Sequence, residues 1–123
     1  MPTLNHYPPN LTDAELGELQ IVANKFRPVS ERLASWIMAF VEFEHARREA
    51  EKLADPIDVE QPKLNCARWT DGELLDAVWA SFSAYQLMRD NVAAGSLMAT
   101  VHNVLLLWTR NRFRNPADPD WTD

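Results

Sequence analysis

Glycine is scarce in this chain, three among 123 residues, and a many-turned β architecture needs more of it than that. Cysteine is scarcer still. Cys66 stands alone, so no intrachain disulfide forms, and a reducing cytoplasm is the expected setting. Positive charge is in deficit, with 12 Lys and Arg against 18 Asp and Glu and a net charge of −6. Binding to nucleic-acid phosphates rests on Lys and Arg displacing counterions, so direct contact with nucleic acid is not expected. No apolar run approaches the roughly 20 residues of a membrane span, because Arg110, Arg112 and Arg114 close the longest one. The opening stretch Met1–His6 lacks the basic and apolar regions of a signal peptide. A Gly-rich phosphate loop, paired zinc cysteines, a Gly-x-Ser-x-Gly elbow and a His-Glu-x-x-His motif are all missing.

What is present reads as helix. Apolar residues make up 46% of the chain, and five Trp with five Phe supply bulky core material. The densest stretch runs from Ser96 to Phe113 and contains Val104-Leu-Leu-Leu-Trp108. At about 100° per residue, five consecutive apolar side chains cover more than half of a helix, so this segment needs neighbours on more than one side. Leu105 and Trp108 are expected at its centre. Its polar stripe carries Thr100, Asn103, Arg110 and Arg114, and Leu107 falls in the middle of that stripe. Gly95 is expected as a left-handed stop before it, and Ser96 as its cap.

Two other helix starts share one chemistry. Leu11-Thr-Asp-Ala-Glu-Leu16 and Trp69-Thr-Asp-Gly-Glu-Leu74 each place a Thr cap three residues before a Glu, with an apolar pair spanning the junction. The first helix ends at Pro28. The second is expected from Ser30 to Ala54, with Leu33, Trp36, Ile37, Phe40 and Val41 inward. From Glu42 onward it is crowded with charge, and the pairs Glu44–Arg48 and Arg47–Glu51 suit an exposed surface. A thin seam through Trp36, Ala39, Phe43, Ala46, Ala50 and Leu53 continues along it. On the third helix Leu74, Leu75, Val78, Phe82, Tyr85, Arg89 and Val92 trace an apolar face, and Ala77, Ala80, Ser81 and Ala84 a small-residue groove. The expected fold is all-α, one domain over residues 1–123: a four-helix bundle of two helical hairpins joined by a long proline-bearing loop at 55–69. An extended arm at 1–11 and an acidic tail at 115–123 flank it.

One side-chain pattern bears on chemistry. Glu42 and His45 lie three apart on the second helix, and Glu73 and Asp76 three apart on the third, so each pair shares a helix face. If the helices are neighbours the four can converge, and hard cations such as Mg²⁺ take oxygen ligands from several carboxylates. The layout resembles the MazG-like all-α nucleoside triphosphate pyrophosphatases, whose signature is Glu-x-x-Glu, a variable gap, then Glu-x-x-Asp. The resemblance implies that Glu42, Glu73 and Asp76 hold Mg²⁺, which bridges the triphosphate and activates water. His45 stands where that family has its second Glu. Glu42-x-x-His45 is also half of a di-iron bundle signature, whose second half is missing.

Taken together, the residues point first to a small acidic protein-interaction or regulatory protein with no cofactor, of the kind phages and mobile elements use to inhibit host machinery. The enzymatic reading stands second. Leu107 on its polar stripe and Trp121 in the tail are the expected contacts with a protein partner or a second copy. Cys66 is expected as a small, half-buried side chain near Trp69, and His102 as a hydrogen-bonded core histidine.

Overall fold

Four helices carry most of the described chain: α1 (Asp13–Phe26), α2 (Glu31–Glu51), α3 (Asp71–Met88) and α4 (Val92–Phe113). This computed structural model describes residues 11–53 and 60–114, and among them there is no strand. Most of the expected arm, part of the 55–69 loop, Ala54, and the tail with Trp121 lie outside the described residues.

The helix starts follow from local hydrogen bonding. Thr12 Oγ1 accepts from the Glu15 N–H at 3.0 Å, and the Glu15 carboxylate accepts in return from the Thr12 N–H at 3.2 Å. Thr70 and Glu73 repeat the exchange at 3.1 and 2.9 Å. Ser30 caps α2 by accepting from the Leu33 N–H at 3.1 Å. Each box satisfies two backbone donors that the first helical turn leaves without partners.

The most extensive helix pairings are α3 with α4 and α1 with α2. Contacts along the first pair run in opposite directions. Asp71 meets Arg112, Ser81 meets His102, and Met88 lies against Gly95. Between the pairs a single core gathers Leu16, Leu19, Leu33, Ile37, Phe40, Leu74, Leu97, Met98 and Leu105, all buried. Leu105 and Trp108 are inside it, as their position in the sequence requires.

Three expectations are corrected. First, α4 begins at Val92, one turn before the expected Ser96 cap, and no glycine has positive φ. Gly95 is therefore a helical residue, placed there because α4 starts hard against the end of α3. Second, α3 turns its small-residue side inward. Leu74, Ala77, Ala80, Ser81, Ala84 and Met88 are buried, while Leu75, Phe82 and Val92 are exposed. Small side chains let α4 come close, and close approach gains more packing than a row of large residues would. Third, Glu44 is 1% exposed, although Glu42, His45, Glu49 and Glu51 on the same helix are exposed. Arg47 Nε binds it at 2.8 Å and Arg48 Nε at 3.3 Å, so the buried carboxylate is paired. Arg48 also reaches Asp13 at 2.8 Å and donates to the Leu11 carbonyl, tying α2 to the start of α1. On the seam itself Ala39, Ala46 and Leu53 are exposed.

Glu15 serves two helices. Asn91 precedes α4 without capping it through its side chain, and the Ala94 N–H instead donates to Glu15 Oε2 at 2.7 Å. Burial pushes the Glu15 carboxyl up, but hydrogen bonds from Ala94, Thr12 and Ala93 outweigh it and hold the pKa below its ordinary 4.5. A lowered carboxylate pKa stabilises the fold above the unfolded-state value and ceases to do so as pH falls through the folded value. Glu15→Ala is expected to cost about 1–3 kcal/mol at neutral pH. Glu15→Gln is expected to flatten the fall in stability between about pH 5 and 3. Urea titrations across that range read both effects, and an unchanged slope in Glu15→Gln would count against the double cap.

Candidate functional site

Glu73 is fastened by local structure before any ligand is considered. Its carboxylate closes the Thr70 capping box and also receives Arg32 Nε at 2.8 Å. The Arg32 hydrogen bond, with the backbone bond from Thr70, brings its pKa down to about 2. Asp76, exposed one turn further on, joins Glu73 along a cleft of about 240 Å³ that also takes in Arg27, Ser30, Glu31 and Arg32. Two of the three carboxylates there are already matched, Glu31 by Arg27 at 2.6 Å and Glu73 by Arg32. Bound arginines reduce the pull such a cleft exerts on a cation.

Glu42 and His45 are exposed on α2 and do not line that cleft. Glu42 follows Arg32, the residue that holds Glu73, by ten positions, a displacement of about 15 Å along the helix. Among the described residues no three of His, Cys, Asp or Glu come together as a group that could hold a metal ion. The structure thus brings Glu73 and Asp76 to one cleft and leaves Glu42 and His45 elsewhere.

Beside this cleft a second one is lined by Arg32, Asn65, Ala67, Arg68 and Trp69. The Arg32 guanidinium lies 5.9 Å from the Trp69 ring centroid, within reach of a cation–π contact. Arg112 of α4 secures the segment beneath, donating to the Cys66 carbonyl at 2.8 Å and to the Trp69 carbonyl. Cys66 is fully buried, not half-buried as expected. Burial pushes its thiol up to about 12 against the opposing pull of Arg112. The thiolate is the nucleophile, so the native chain is expected to resist a thiol reagent at pH 8 and to take up one equivalent once unfolded in guanidinium. Rapid labelling of the native chain would contradict the burial.

His102 is half-buried on α4, its Nδ1 2.9 Å from Ser81 Oγ. The Ser81 hydroxyl donates its one proton to the Val78 carbonyl at 2.9 Å, so its oxygen accepts from Nδ1–H. Burial lowers the pKa of His102, against a raising contribution from the Val78 backbone. The ring thus sits half-buried at the α3–α4 junction, held by Ser81 and outside the apolar core.

The feature that sequence reasoning missed is the outward side of α3 and α4. Leu75, Trp79 and Phe82 recur at four- and three-residue spacing on α3, and all three are exposed. On α4, Leu106 and Phe113 are exposed on the side of His102. The Phe82 and His102 rings, with centroids 5.6 Å apart, join the two rows into one face. Leu107 is exposed as its stripe predicts, but it lies about 100° round α4 from Leu106 with Asn103, Arg110 and Arg114 between them, and so falls off this face. The available signal was the small-residue groove: if the Ala side of α3 packs inward, Trp79 and Phe82 point out. Comparison with family models, with curated proteins and with solved structures finds no match.

Proposed function

We propose that this protein acts by contact with another polypeptide and carries out no catalysis of its own, as a small acidic interaction or regulatory domain of the cytoplasm. Its architecture in this reading is two helical hairpins, α1–α2 and α3–α4, joined by the 55–69 loop. The observation that supports it is the outward face of α3 and α4, where Trp79 is 60% exposed among other large apolar side chains. Surface Leu or Phe found singly needs no explanation, whereas contiguous apolar patches rimmed by polar groups mark protein contacts. Trp is also among the residues that most often dominate binding energy when a partner covers them. Leu107, exposed on the polar stripe of α4, is proposed as a separate partner contact, and small phage or mobile-element inhibitors of host machinery are the matching functional class by size and charge.

A photo-reactive amino acid in place of Leu106 is expected to capture a polypeptide of defined mass. The same group at Glu18, an exposed position on α1, is expected to capture none. Equal capture at both positions, or none at either, would overturn the reading. The MazG-like alternative is tested in parallel with mixed nucleoside triphosphates and Mg²⁺ or Mn²⁺. Absence of pyrophosphate and of any metal-dependent rise in melting temperature is expected. Pyrophosphate release that Glu73→Gln abolishes in a folded chain would favour the enzyme.

A further inference from the structure

We infer that the cleft lined by Arg32, Asn65, Ala67, Arg68 and Trp69 binds the carboxylate of a small aromatic acid. None of these residues belongs to the outward face of α3 and α4, so the inference stands apart from the protein-contact reading.

The hydrogen-bonding groups of the cleft are unbalanced. Arg112 donates to the carbonyls of Cys66, Ala67 and Trp69, and the side-chain oxygen of Asn65 accepts from the Ala67 N–H at 3.0 Å. What the side chains still offer are donors. The Arg68 guanidinium has no hydrogen-bond or ion-pair partner among the described residues. Arg32 gives only its Nε to Glu73, which leaves its two Nη groups, and Asn65 keeps its side-chain NH₂. No acidic residue lines the cleft, in a chain with 18 Asp and Glu against 12 Lys and Arg. Donors without acceptors select an anion.

Charge and shape narrow the class. Glu73 offsets Arg32, so Arg68 is the one uncompensated charge at the cleft, matched by a singly charged carboxylate and exceeded by a phosphate of about −1.5 to −2. A planar carboxylate also meets a guanidinium fork through two parallel hydrogen bonds. Arg32 is held in advance, by Glu73 at 2.8 Å and over the Trp69 ring at 5.9 Å. Binding therefore loses little of the side-chain freedom that ordering a long arginine otherwise costs. Trp69, itself half-buried, supplies an apolar wall on which a flat ring can lie. The cleft measures about 340 Å³, near the lower end of the roughly 300–1,000 Å³ of small-ligand sites, which suits one or two rings better than a peptide.

Titration of the isotope-labelled full chain with naphthoate, followed by NMR, tests this. Saturable shifts are expected at the Trp69 indole N–H and the backbone N–H groups of residues 65–69, with a Kd below about 5 mM. Arg68→Gln, at an exposed position, is expected to weaken binding about tenfold, the loss of a hydrogen-bonded charge, while resonances outside the cleft stay in place. Lys63→Gln removes the same charge from an exposed neighbour that does not line the cleft, and is expected to change nothing. The uncharged naphthamide is expected to bind at least about tenfold more weakly than naphthoate. No saturation by about 10 mM, equal losses in the two variants, or equal binding of the amide would each overturn the carboxylate site. None of these outcomes alters what a crosslinker at Leu106 captures, so the two readings fail separately.

Discussion

Leu105→Ala is expected to lower the unfolding free energy by about 2–5 kcal/mol, the range for emptying a fully packed aliphatic site. Leu106→Ala and Leu107→Ala, the next two positions, are expected to cost less than about 1 kcal/mol each. The contrast comes from one turn of α4. Leu105 is 0% exposed, whereas Leu106 is 42% and Leu107 46% exposed. Removing the buried side chain forfeits both its transfer from water and the dispersion contacts its neighbours made with it, because a packed core closes over a void only in part. Removing an exposed one leaves water in its place. Urea unfolding of the three variants under one set of conditions is the measurement. Equal losses at the three positions would mean that α4 does not lie in the core as described.

Gly95→Ala is expected to destabilise by about 1–3 kcal/mol, against the direction that helix propensity alone dictates, since alanine is favoured over glycine in a helix by about 1 kcal/mol. A Cβ at this position would lie 2.7 Å from the Met88 carbonyl oxygen and 3.2 Å from Arg89 Cα. Both are backbone atoms and cannot swing aside as a side chain would, so α4 must move away from the turn that ends α3. That movement also pulls Ala94 from Glu15, whose carboxylate receives its N–H. Gly17→Ala on α1 supplies the control. Nothing lies within 4 Å of a Cβ there, and a gain of about 0.5–1 kcal/mol is expected. Thermal unfolding of the two variants should therefore shift in opposite directions. A stabilised Gly95→Ala chain would show that the junction has slack.

The same glycine shows where reading the residues in order goes astray. Gly95 followed by Ser96 has the chemistry of a helix stop and restart, and nothing local contradicts it. What places Gly95 inside a helix is the nearness of Met88, which depends on how two helices dock. The helix starts at Thr12 and Thr70 were legible because cap, box and staple involve residues three to five apart. Leu107 was legible as an outward residue because helical periodicity alone sets its direction relative to Thr100 and Arg114. Glu44 was not, since its spacing from Arg48 suits a solvated pair equally well, and only the packing of α2 on its neighbours takes that carboxylate out of water. The candidate ligands divide on the same principle. Glu73 and Asp76 share a face by spacing, and whether Glu42 and His45 meet them depends on where along α2 the contact with α3 falls. The residue of α2 that pairs with Glu73 is Arg32.

By itself, then, the chain of residues determined four helices, the capped beginnings of α1, α2 and α3, the inward direction of Leu105 and Trp108, and the outward direction of Leu107. Each follows from interactions that close within one or two helical turns. The tertiary structure alone decided that α3 turns its alanines inward and its Trp79 outward, that Gly95 lies within α4, and that Glu42 stays apart from Glu73. Those outcomes turn on the distance and register between helices, where a small side chain is worth as much for the approach it permits as a large one is for the surface it buries.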